Sequence, residues 1–133
     1  METLTYQAKI AILRILVEIM NADNFVHENE VEYMNQAKQS FELDDSCDND
    51  VNGLEMKQAL EEIKDLDPSQ KALVAQMMGK MVVIDKDINY NEVILYNDVC
   101  HQCDIDNEFN IADYPDYSLS GPFINPEDIF EML

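Results

Sequence analysis

Two stretches of this chain, LRILVEIMNADNFVHENEVEYMNQAKQSFELD at Leu13–Asp44 and AQMMGKMVVIDKDINYNEVILYNDVCHQCDID at Ala75–Asp106, superpose without a gap at an offset of 62 residues. The identical pairs are Asp23 with Asp85, Asn29 with Asn91, Glu30 with Glu92, Val31 with Val93, Asn35 with Asn97 and Asp44 with Asp106. Polar breaks inside the apolar half of each stretch coincide too, Arg14 with Gln76 and Glu18 with Lys80, as do Val26 and Ile88 in the loops. Each stretch therefore reads as a nearly apolar helix, a short loop carrying an aspartate, and an amphipathic helix.

Outward from the repeat, 3.6-residue spacing fills most of the chain to Cys103, and three glycines and four prolines leave little punctuation. Leu4–Asn21 and Pro68–Ile84 are apolar nearly all round, which suits helices in the middle of a bundle. Amphipathic segments follow at Glu28–Phe41, with Val31, Met34, Ala37 and Phe41 on one stripe, at Leu54–Leu66, and at Tyr90–Cys103, with Val93, Tyr96, Val99 and Cys103. Asn52 with Glu55, Asp67 with Gln70, and Asn89 with Glu92 have capping-box spacing, and Pro68 occupies a first helical position. Residues 42–53 read as an acidic loop. The expectation is an all-α, single-domain bundle of about five main helices: a domain over 1–106 with repeats at 4–44 and 68–106 and a connecting helix at 54–66.

Residues 107–133 form a C-terminal extension. The stretch from residue 104 onward holds three prolines and five of the eleven aromatics, among them Tyr114, Tyr117 and Phe130, so it is expected to dock on the domain. Asn125, Pro126 and Asp128 read as the start of a short last helix that includes Phe130 and Met132.

Charge narrows the partners. Among 133 residues, 28 are Asp or Glu and 8 are Lys or Arg, a net of −20, and no Lys or Arg follows Lys86. Such a field repels phosphate backbones and anionic headgroups, so nucleic acid and membrane surfaces are poor partners, while a basic protein or a divalent cation fits. Three cysteines, an odd number, do not make a secreted disulfide framework and point to a reducing, cytoplasmic setting. The apolar run Ile10–Met20 is interrupted by Arg14 and Glu18, which removes it as a membrane span or signal-peptide core.

The repeated spacing D-x-x-[V/I]-x-x-x-E holds Asp23, Val26 and Glu30, then Asp85, Ile88 and Glu92. With His27 and Asn89 as N-caps, both glutamates fall at the third helical position, where a carboxylate reaches back to the cap N–H, and Val26 and Ile88 are placed to staple onto Val31 and Val93. The competing reading makes Asp23, Glu30, Asp85 and Glu92 oxygen ligands for Ca2+ or Mg2+, weakly held unless both loops converge. Capping is the stronger account, because it explains the spacing without a ligand. Asp48, Asp50, Asn52 and Gly53 copy the opening of an EF-hand loop, but its twelfth position is Ala59, not a bidentate glutamate. Cys100 and Cys103 form a C-x-x-C at a helix C-terminus, where the dipole disfavours thiolate; Cys103 reads as core and Cys100 as more exposed. No nucleophile–base motif is visible, so no catalytic residue and no cofactor is assigned.

These D-x-x-[V/I]-x-x-x-E loops, set between an apolar and an amphipathic helix, resemble the tellurite-resistance TerB-like superfamily, which includes the N-terminal domain of a membrane-anchored DnaJ-type co-chaperone. The similarity covers residues 5–106. Where the family carries glycine after the loop aspartate, this chain has Asn24 and Lys86. The resemblance implies an all-helical, cytoplasmic, non-enzymatic module acting through protein contacts in stress response, with divalent metal at Asp23, Glu30, Asp85 and Glu92. The alternative is a metal-dependent hydrolase using the same carboxylates, and a third reading makes the charge itself a sink for a basic partner.

Overall fold

The computed structural model describes residues 4–22, 27–84, 86–106 and 113–120. Six α-helices dominate them: α1 (Tyr6–Asn21), α2 (Glu28–Ser40), α3 (Asp48–Gly53), α4 (Met56–Lys64), α5 (Pro68–Val83) and α6 (Tyr90–Gln102). A single turn of 3-10 helix at Asp45–Cys47 precedes α3, and two three-residue strands, β1 (Asp87–Asn89) and β2 (Ser118–Ser120), pair in parallel. The fold is an all-α bundle.

Apolar character on nearly every side places α1 at its centre. Ile10, Ile12, Leu13, Ile15, Leu16 and Ile19 are all fully buried, and α1 packs against α2, α3, α4, α5 and α6. Burial of one such side chain contributes about 1.5–3 kcal/mol, so this helix organises the core. Its polar breaks are satisfied: Arg14 donates from Nε to the Leu54 carbonyl at 2.8 Å and pairs with Glu18 one turn on at 2.5 Å.

The 62-residue offset holds to the residue. Shifting α1 by 62 gives the bounds of α5, and shifting α2 gives those of α6. At the N-termini, Thr5 Oγ1 accepts from Ala8 N–H at 3.1 Å, and its counterpart Asp67 accepts from Gln70 N–H at 2.8 Å while Gln70 Oε1 accepts from Asp67 N–H at 3.1 Å. The ends of α2 and α6 match as well. Phe41 and Cys103 donate to Ala37 and Val99, and Leu43 and Ile105 donate to Lys38 and Cys100 at 2.9 and 2.8 Å, with Glu42 (φ 59) and Asp104 (φ 57) left-handed between them. Both are Schellman endings, which satisfy the orphan carbonyls of a last turn at the cost of placing a side chain where glycine is favoured. The described residues of two units, 5–43 and 67–105, thus share helix bounds and helix endings.

Several expectations are corrected. Residues 42–53 are not a loop: Cys47 and Val51 are buried and hold the 3-10 turn and α3 against the core, so the EF-hand-like spelling lies mostly on a helix. Asn52 therefore sits inside α3, and α4 starts later, with Glu55 as its N-cap and Glu55 N–H donating to Gln58 Oε1 at 3.4 Å. Val31 leaves the stripe of Met34, Ala37 and Phe41 and is 43% exposed, whereas Val93 is buried. Cys100 is fully buried with Cys103. In the C-terminal extension, Tyr114 and Tyr117 pack on the core, and Ser118 N–H donates to the Lys86 carbonyl at 3.2 Å where β2 joins β1. The short last helix expected at Asn125–Met132 lies outside the described residues.

Candidate functional site

The elbows between the helices of each unit carry the repeated acidic motif. In the first, His27 is the N-cap of α2 and its N–H donates to Glu30 Oε1 at 2.9 Å, so the carboxylate turns back on its own helix end. Glu30 is 1% exposed. A negative group in the first turn also suits the helix dipole. In the second, Asn89 caps α6 by accepting from Asn91 N–H at 2.9 Å, and Glu92 is 3% exposed. Ile88, the second staple position, is fully buried in β1. Lys86, next to the elbow aspartate in the chain, has φ 62, the left-handed backbone that favours glycine.

The described flanks of the two elbows touch. Asn91 Nδ2 donates to the Ala22 carbonyl at 3.2 Å, tying the first turn of α6 to the residue that closes α1. Asp23 and Asp85, the other two candidate metal ligands, lie outside the described residues. Of the four residues named from the sequence, the structure thus places Glu30 and Glu92, each buried at a helix start.

A second acidic feature lies in the stretch that the sequence presents only as an acidic loop. Between Glu42 and Glu55 stand Glu42, Asp44, Asp45, Asp48, Asp50 and Glu55, all but Asp48 exposed. This ridge is held in shape. Tyr6 OH donates to Asp50 at 2.5 Å, Lys38 Nζ bridges Asp45 at 3.2 Å and Asp48 at 2.7 Å, and Asp44 accepts from Ser46 N–H at 2.9 Å. The bond to Asp50 disfavours the phenolate and pushes the Tyr6 pKa up to about 12, while the Ser46 bonds hold Asp44 below the ordinary aspartate range. Lys38 is held above the ordinary lysine range, chiefly by Asp48 and against the opposing pull of burial.

The thiols are core groups. Cys103 donates from Sγ to the Leu60 carbonyl at 3.4 Å, and burial pushes its pKa up to about 11; burial also raises Cys47. A protonated, buried thiol is a poor nucleophile and a poor soft-metal ligand. His101 of the C-x-x-C is exposed at the end of α6.

A groove of about 850 Å3 runs between α2 and α5 over the start of α1, with Leu4, Tyr33, Phe41, Leu73 and Met77 on its walls and Lys9 and Lys80 at its edges. Lys9 Nζ donates to the Phe41 carbonyl at 3.0 Å, the last turn of α2. No single stretch of sequence signals this groove, because it is made by two helices about 40 residues apart in the chain.

No family model and no curated protein matches the chain. In structure it is similar to a protein of unknown function from Porphyromonas gingivalis, with a TM-score of 0.69 and 24% identity over 80% of this chain and 84% of that one. The likeness is one of fold. No helix among the described residues is long and apolar enough to cross a membrane.

Proposed function

We propose that this chain is a non-catalytic, TerB-like acidic module whose work is to hold the 42–55 ridge against a basic segment of a partner protein. The observation that carries the reading is the division of its carboxylates. Glu30 and Glu92 are spent inside the fold at helix starts, whereas the ridge keeps five of its six carboxylates exposed, with Lys38 beneath them. Fixed like charges raise the local concentration of a cationic segment and speed its encounter, at a strength that salt reduces. The positive φ of Lys86 supports the TerB-like assignment, and the buried thiols support a role other than nucleophilic chemistry.

The test is calorimetric titration with a lysine-rich peptide. Glu42→Gln, Asp45→Asn and Asp50→Asn together remove three ridge charges; Glu61→Gln, Asp65→Asn and Asp98→Asn remove three from elsewhere. The ridge variant is expected to lose roughly tenfold or more in affinity and the other little, since each well-placed rim charge contributes on the order of 0.5–1 kcal/mol. Equal losses would reduce the ridge to bulk charge and overturn the reading.

The Asn91–Ala22 bond favours a second reading, a divalent cation shared by the neighbouring elbows. Titration with Ca2+ and Mg2+ of the wild type and of Asp23→Asn with Asp85→Asn decides it: heats lost in the double variant support the site, and unchanged heats remove it.

A further inference from the structure

A helix that is apolar nearly all round has room for about six neighbours of its own width. Among the described residues α1 packs against five, α2, α3, α4, α5 and α6. Going round it from α2, the links are continuous. Lys38 of α2 pairs with Asp48 of α3 at 2.7 Å, and α3 passes into α4 through Leu54 and Glu55. Cys103 at the end of α6 donates to the Leu60 carbonyl of α4 at 3.4 Å, and α6 packs on α5. No comparable packing joins α5 back to α2 among the described residues, and the groove lies in that gap. The remaining place beside α1 is a slot between two helices.

Both walls of the slot show a helical stripe. Tyr33, Ala37 and Phe41 on α2, and Leu73, Met77 and Lys80 on α5, recur at three or four residues, so each wall presents a ridge about two turns or roughly 10–12 Å long. Ridges of that spacing receive the side chains of a third helix, as when an amphipathic helix lies in a groove. Charge says which kind of helix. The protein carries −20 overall, yet the charged lining of the groove is Lys9, Lys80 and one carboxylate, Glu42. Lys80 is exposed and has no carboxylate partner among the described residues, and Lys9 Nζ donates to the Phe41 carbonyl at 3.0 Å without an acid beside it. A second copy of so acidic a chain is repelled over most of its surface, whereas carboxylates flanking an apolar stripe meet two cations here.

We propose that the α2–α5 groove is a docking site for an amphipathic helix of a partner protein, its apolar stripe lying on Phe41, Leu73 and Met77 and its flanking carboxylates pairing with Lys9 and Lys80. The inference is independent of the acidic ridge, which calls for the opposite charge in its partner.

The chain has no tryptophan, so the probe can carry the reporter. Two synthetic helices of about 14 residues share one tryptophan and a leucine stripe of helical spacing, and differ only in flanking glutamates or lysines. At about 0.15 M salt the full-length protein is expected to bind the glutamate helix roughly fivefold or more tightly than the lysine helix, against the sign of the net charge. Tryptophan anisotropy reads both affinities. Lys80→Glu, at an exposed position with little bearing on folding, should erase or reverse that order. Leu73→Asp should weaken both helices roughly tenfold or more while the far-ultraviolet dichroism keeps its helical signal. Asp45→Asn with Asp50→Asn, on the ridge and outside the groove, should leave the glutamate helix bound as before; a loss there would place it on the ridge and overturn the proposal. Binding of neither helix overturns it, as does a wild-type preference for the lysine helix or an order that Lys80→Glu leaves intact. Saturable binding of decanoate in place of either helix overturns it by assigning the groove to a small amphiphile, and a dimer dissolved by Leu73→Asp by assigning it to a second copy.

Discussion

In the first unit, α1 and α2 leave a groove against α5 that no described residue fills, whereas the same positions 62 residues on close over α4. The helix bounds and the left-handed endings are otherwise alike. The difference teaches that the repeat is a unit of backbone, set by caps and turns, and that side-chain volume is assigned separately to each copy. Leu16 and Met78 occupy one position of the shared plan, and both are fully buried.

That pair offers the largest test. Leu16→Ala is expected to cost about 3–5 kcal/mol, because Leu16 is fully buried on the central helix and the cavity it leaves collapses poorly. Met78→Ala is expected to cost about 2–3 kcal/mol, since neighbouring methionines repack more readily. Urea unfolding of both variants, with unchanged slope, checks it. Equal or reversed costs would mean that α5 and α1 share the centre evenly.

A smaller contrast lies at the caps. Asp67→Ala should lose about 1–2 kcal/mol and Thr5→Ala about 1 kcal/mol or less, because only Asp67 brings a charge to the helix dipole and a reciprocal bond from Gln70. Thermal melts of the two variants measure the difference. A larger loss at Thr5 would break the account of how each unit starts.

The duplication was legible in the sequence because both its signals are local. Apolar spacing marks the helices, and the Asp-to-Glu spacing marks each elbow, so the sequence alone puts Glu30 and Glu92 at helix starts. Their neighbours Asp23 and Asp85 lie outside the described residues, and half of the candidate site therefore stays a matter of spacing. What could not be read depends on distant residues. The α3 segment was hidden because six residues are too few to show a helical period, and its anchors Cys47 and Val51 are dispersed among carboxylates. β1 and β2 are three-residue strands that pair across α6. The repeat pairs Cys100 with Lys38 and so points it outward, yet the two diverge: Lys38 reaches the acidic ridge, and Cys100 is buried with Tyr96 and Cys103.

The smallest expected effect is also the most symmetric. Glu42→Gly and Asp104→Gly relieve a left-handed strain of about 1–2 kcal/mol and give back about 0.4–1 kcal/mol in unfolded-state entropy, so each should stabilise the protein by about 0.5–1 kcal/mol. The two gains should agree within measurement. A gain at one position and a loss at the other would show that the units end differently.

Backbone nuclear magnetic resonance of the full chain addresses the duplication itself. Three-bond HN–Hα couplings and carbon shifts should report positive φ at both Glu42 and Asp104, with the amides of Leu43 and Ile105 protected from exchange by the Lys38 and Cys100 carbonyls. Positive φ at only one of them, or a helix that continues unbroken through either, would contradict a chain built twice on one plan.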